Sequence, residues 1–167
     1  MGHVIQGLAA GAAGTAVLNT VTYLDMAIRA RPSSSVPADT VDKMTELAGV
    51  TLAADGHDSD AAETRRDAIG ALLGYATGFA VGAAYGLLRP GPLQRLPMSV
   101  AGVGIAAVAT ASTVAPYSAL GVSDPRTWPA KSWAADIIPH LCYGWTTAAV
   151  FDALHATGSA RRARRRR

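Results

Sequence analysis

The chain has 167 residues and a single cysteine, Cys142. An intramolecular disulfide and a cysteine-based zinc site are therefore excluded, and Cys142 reads as a small buried hydrophobe. Aromatic residues make up only 6% of a chain that is 50% hydrophobic, so the apolar mass is carried by Ala, Val, Leu and Gly. There is no serine-centred triad, no phosphate-binding glycine loop and no His-rich metal spacing, and His3, His57, His140 and His155 lie far apart, which argues against a haem pair. The sequence thus implies no catalytic residues, no cofactor and no metal, and the expectation is a protein that is not an enzyme. Met1 to Gln6 lack the basic region of a secretory signal, and the first apolar run ends in Ile28, Arg29, Ala30, Arg31 rather than at a small-residue cleavage site. The run is expected to remain as a first span.

Charge is also missing from Ala68 to Leu88, and inside that stretch Gly70, Gly74, Gly78, Gly82 and Gly86 stand four residues apart. In water each interior glycine costs a helix roughly 1 kcal/mol relative to alanine. In lipid a row of them lets another backbone approach closely, so the stretch reads as a membrane span with a glycine zipper. Positions four apart follow an inclined ridge, which predicts a right-handed crossing with the partner helix. The expected partner face is Gly7, Gly11 and Gly14 of the first span, at the depth of Gly78, Gly82 and Gly86; self-association through the same ridge is the alternative.

Four spans can be drawn, at about 4–28, 68–88, 98–120 and 133–154, each long enough for a hydrocarbon layer of about 30 Å at 1.5 Å per residue. Pro116 lies near the end of the third and Pro139 in the first turns of the fourth. The loop 29–67 is long for a compact bundle. Within it Val41, Met44 and Leu47 or Ala48 recur at helical spacing among Asp39, Asp42, Lys43 and Glu46, with Pro37 before them and Gly49 after. This predicts an amphipathic helix at about 37–48, lying as a lid on the bundle or in the interface. Ala54 to Asp67 reads as a solvated acidic loop whose spacing fits neither a calcium nor a zinc site. The fold class expected is all-α: one polytopic domain over 1–160, a four-helix transmembrane bundle with a short amphipathic helix in its first loop.

The formal net charge of +3 depends on Arg161, Arg162, Arg164, Arg165, Arg166 and Arg167; without them the chain is acidic. Directly after an apolar helix, the tail at 161–167 is expected to contact anionic lipid headgroups rather than nucleic acid. Arg89 and Arg95 bracket the turn between the second and third spans. The positive-inside rule then places both termini and this turn in the cytoplasm of a multi-pass inner-membrane protein, although Arg29, Arg31, Arg65 and Arg66 flank the opposite loop. Expected partners are the bilayer, further copies of the chain or a larger membrane complex, and no nucleic acid.

Polar groups inside spans are costly and mark candidate sites. Asn19, Asp25, Tyr75, Tyr117, Asp136, His140 and Tyr143 would share the outer half of the bundle, with Thr22, Thr77 and Thr113. Asp136 and His140 are four apart and share a helix face. Two readings follow: an interhelical hydrogen-bond network that fixes the bundle, or a pocket in which Asp25 or Asp136 and His140 exchange a proton or hold a small cation. Asp152 and His155 near the inner end of the fourth span read as solvated at headgroup depth. Trp128, Trp133 and Trp145, with Tyr117 and Tyr143, read mostly as an interfacial aromatic belt.

Gly11 to Thr15 with Asn19, Tyr23, Leu24 and Asp25, then Tyr85 to Arg89, then Asp136 to His140 with Tyr143 and Gly144, carry a resemblance. The chain resembles small four-span bacterial inner-membrane proteins of unknown function. The resemblance implies location and architecture, not a reaction. The leading functional expectation is an accessory or assembly subunit packing through glycine-rich faces; the alternative is a small transporter or proton-handling protein using the polar pocket.

Overall fold

A computed structural model describes residues 2–53 and 59–165, with side chains up to residue 158. The sequence readings on residues 54–58, among them His57, and on the side chains of the arginine tail lie outside the described residues. The described residues are all-α, with helices α1 (His3–Arg29), α2 (Val36–Ala48), α3 (Ser59–Leu88), α4 (Met98–Ala119) and α5 (Ala130–Arg165), plus a 3-10 turn at Pro125–Thr127 before α5.

Local chemistry sets the helix ends. Ala30 closes α1 in a left-handed conformation, φ 48°, with its N–H donating to the Met26 carbonyl. Pro37 in the first turn of α2 needs no helical donor, and Gly49 at φ 66° ends the helix with its N–H on the Glu46 carbonyl. Two helices outrun the expected spans. α3 starts at Ser59 rather than at Ala68, and α5 continues past Leu154 to Arg165. Hydropathy delimits what is soluble in lipid, whereas Ala, Glu and Arg on either side are good helix formers and prolong the helix beyond it. The reading of Ala54 to Asp67 as loop is corrected accordingly from Ser59 onward.

Among the described residues, α1, α3 and α4 are long and apolar enough to cross a membrane. α5 is longer still, but Asp136, Pro139, His140 and Asp152 dilute its apolar run and it is not one of the three. α1 packs between α3 and α5, α5 packs between α1 and α4, and α3 meets α4 less extensively. Gly7 lies against Gly82 and Gly86, and Gly11 against Gly78 and Gly82, so α1 and α3 run antiparallel. Gln6 donates to the Leu154 carbonyl at 3.1 Å, so α1 and α5 are antiparallel too. α2 lies on α3, where Pro37 covers Gly70 and Arg66 bonds Asp42 at 2.8 Å.

The interior is built from small residues. Ala10, Ala101, Ala109 and Ala148 share it with Val81 and Ile105, and Tyr85, Tyr143 and Phe151 are its large side chains. The larger aliphatics point outward: Leu72 is 66% exposed and Ile138 54%, with Ile5, Val100, Val103, Val108 and Ile137 also exposed.

Candidate functional site

The expected glycine ridge divides three ways. On Gly11 an added Cβ would stand 2.6 Å from the Gly78 carbonyl oxygen, and on Gly82 it would stand 2.6 Å from the Gly11 Cα, closer than side chains tolerate. Gly7 and Gly86 are as tightly placed against backbone. Gly14 departs from the expectation: it faces Thr147 and Tyr143 of α5, and Thr15 takes its place opposite Gly78. Gly70 lies under Pro37, while Gly74 has nothing within 4 Å.

The polar residues singled out in the sequence sort into separate pairs. Asn19 donates to the Tyr75 hydroxyl at 3.2 Å across α1 and α3, on the exposed side. Asp25 is held by Arg29 and Arg31, each at 2.5 Å, beyond the end of the glycine contact. Tyr143 is 1% exposed and donates to the Gly78 carbonyl at 2.6 Å, a bond that crosses α5 to α3 where glycine leaves the carbonyl open. It belongs to the core rather than to an aromatic belt. Thr15, Thr77 and Thr113 fold their hydroxyls back onto carbonyls of their own helices, a local way to satisfy a donor without water.

Asp136 and His140 remain as the candidate site. They lie one turn apart on the face of α5 that continues into Tyr143 and Thr147, turned into the bundle. His140 Nδ1 donates to the Asp136 backbone carbonyl at 2.8 Å and stands 3.6 Å from Asp136 Oδ1. Asp136 Oδ2 is buried without a hydrogen-bond partner. Tyr117 of α4 lies within electrostatic reach of Asp136. Beside them Val21, Asp25 and Arg29 of α1, with Ala134, Ala135, Ile138 and Pro139, line a crevice of about 170 Å³.

At the opposite end of the bundle the structure assembles a set that sequence reasoning missed. Arg89 Nε and Nη2 donate to Asp152 Oδ1 and Oδ2 at 3.1 and 2.9 Å, so Asp152 is paired rather than merely solvated. This bonding holds the Arg89 guanidinium above its ordinary range. Tyr85 packs edge-on to Phe151, Phe151 stacks on His155, and the His155 and His3 rings stand 5.2 Å apart. The signal available in the sequence was a cation just past one span and a carboxylate just inside another, at matching ends of helices that run in the same direction. Trp145 also falls near this end, its indole donating to the Ser99 carbonyl at 3.2 Å, whereas Trp128 and Trp133 pair beside the 3-10 turn. Among the described residues, no group of three or more His, Cys, Asp or Glu could hold a metal ion. No protein-family model, curated protein or solved structure matches the chain, so no family is identified.

Proposed function

We propose that the chain is an integral protein of the inner membrane in which α1, α3, α4 and α5 all cross the bilayer, and that it serves as a non-enzymatic accessory or assembly subunit. The inverted placement of side chains carries this reading: alanine and glycine inside, Leu, Ile and Val outside. Burying one such aliphatic stabilises a protein in water by about 1.5–3 kcal/mol, so a soluble bundle would turn them inward. In lipid the outward placement costs nothing, and close backbone packing supplies the cohesion.

α5 supports its own place in the membrane. It lies antiparallel against α1 and packs on α4, and its polar residues are turned to those neighbours or paired, as Asp152 is with Arg89. Met44 and Leu47 of α2 are exposed although Val41 is buried, which suits a helix lying in the interface with an apolar edge in lipid. With Gly7, Gly11, Gly78, Gly82 and Gly86 spent inside the chain, contact with a second copy or another subunit falls to the outer faces of α3 and α4, where Gly74 and Gly104 are open. The turn containing Arg89 and Arg95 and the arginine tail belong on the cytoplasmic side, the tail on anionic headgroups.

Cysteine accessibility in a Cys142→Ser background tests the topology. Cysteines at Ser34 and Thr127 should react from outside intact cells, and those at Gln94 and Thr157 only after permeabilisation. Reaction at Thr157 together with Thr127 would remove α5 from the membrane, and full inversion would overturn the orientation alone.

A further inference from the structure

We propose that Asp136 is a proton-binding site inside the bundle, carried at neutral pH as the uncharged carboxylic acid. The inference rests on the membrane reading above and extends it, because the bundle then holds an exchangeable proton in its interior.

Hydrogen-bond geometry around the carboxyl group carries the proposal. An imidazolium paired with a carboxylate makes a charge-assisted bond of about 2.7–2.9 Å. Here His140 Nδ1 stands 3.6 Å from Asp136 Oδ1 and spends its hydrogen on the Asp136 main-chain carbonyl at 2.8 Å. A carbonyl only accepts, so Nδ1 bears a proton and directs it to the main chain rather than to the carboxyl group. The carboxyl group is left without a donor from its one titratable neighbour on α5, and Oδ2 is buried with no partner at all.

An ionised carboxylate in that position would be a charge in a side chain only 23% exposed, with no hydrogen bond to Oδ2 and only the ring of His140, 3.6 Å from Oδ1, beside it, a costly arrangement for a charged group. Adding one proton to Oδ2 removes the charge and leaves a neutral acid, which an apolar site tolerates at neutral pH. Among the described residues, no cation on a neighbouring element offers an alternative. On α1, Arg29 is already bonded to Asp25, as is Arg31 just beyond that helix. On α4, Tyr117 is the titratable group within reach, and on α3 Tyr75 is engaged by Asn19. Ala134, Ala135, Ile138 and Pro139 bracket Asp136 in sequence and line the crevice beside it, so water reaches α5 within a turn of the carboxyl group. The proton taken up or released comes from and returns to that water.

Infrared difference spectroscopy on the full chain in phosphatidylcholine–phosphatidylglycerol vesicles tests this. A protonated-carboxyl C=O band should be present at neutral pH, shift on deuteration, and move when aspartate is labelled with ¹³C at the side-chain carbon. Asp136→Asn should abolish the band, and Asp25→Asn and Asp152→Asn should leave it. Absence of the band from inserted wild-type protein overturns the proton site and leaves the membrane reading standing, as does a band insensitive to aspartate labelling. Should Asp136→Asn fail to fold, the labelled wild-type protein with the Asp25 and Asp152 variants still decides. Protein that does not float with the vesicles rejects the membrane reading, and the proposal with it.

Discussion

Arg89 ties three parts of the chain together by gripping Asp152 with two nitrogens while its third, Nη1, donates to the carbonyls of Leu93 and Leu96, each at 2.8 Å. The guanidinium thereby joins the end of α3, the turn that follows and α5. A lysine would offer a point charge without the fork that meets both carboxylate oxygens.

Arg89→Ala should therefore destabilise the bundle, and Arg89→Lys should recover little of the loss. Removing one partner of a fully buried pair costs about 3–5 kcal/mol. Arg89 is 12% exposed but Asp152 37%, so the expected cost is lower, about 2 kcal/mol. Unfolding in mixed micelles, run as a double-mutant cycle with Asp152→Asn, measures it. Additive effects of the two changes would show that the pair contributes nothing as a pair.

Ala30 occupies the left-handed region at φ 48°, a conformation that costs a residue with a Cβ about 1–2 kcal/mol. Replacing it by glycine should stabilise the end of α1 by roughly 1 kcal/mol, less the extra freedom glycine has when unfolded. The same unfolding measurement should show a higher midpoint for Ala30→Gly, and a lower one would contradict the strain.

The 3-10 turn outside the spans is pH-sensitive through Asp124. Hydrogen bonds from Arg126 hold its carboxyl below the usual aspartate range. A depressed value means that the capped turn is stabilised above the unfolded-state pKa and loses that support as pH falls through the lower, folded value. Trp128, whose indole donates to Ser123 at 2.9 Å, reports on the same loop. With Trp133 and Trp145 replaced by Phe, its emission should hold down to about pH 4 and change below it, and Asp124→Asn should abolish the change.

The long helices and α2 were readable because lipid-length apolar runs and a proline-to-glycine amphipathic stretch are local signals. What the sequence concealed was partner choice. The spacing of four that joins Gly78, Gly82 and Gly86 selects Gly7, Gly11 and Thr15 on α1, with the Thr15 hydroxyl folded onto the Gly11 carbonyl. Glycine identity pointed instead to Gly14, which lies off that inclined row and serves α5. The polar residues misled in the same way: depth along a span is visible in sequence, but the direction a side chain faces depends on packing. Asp25 and Asp136 consequently sit in different environments, one gripped by arginines and one beside a histidine that turns its hydrogen elsewhere.

The division of the glycine row gives a contrast within one helix. At Gly82 a methyl group would run into the Gly11 backbone, which cannot move aside as a side chain would, whereas at Gly74 it would meet nothing within 4 Å. Helix propensity favours alanine over glycine by about 1 kcal/mol at both positions. Gly74→Ala should thus be neutral or stabilising by up to that amount. Gly82→Ala must separate α1 from α3, losing backbone contacts along the row, and should cost about 1–3 kcal/mol, the usual range for overpacking. Measuring both variants by unfolding in the same micelles removes differences in host and detergent. Gly82→Ala as harmless as Gly74→Ala would mean that the α1–α3 contact does not depend on bare backbone, whereas losses at both positions would place a further helix against the outer face of α3.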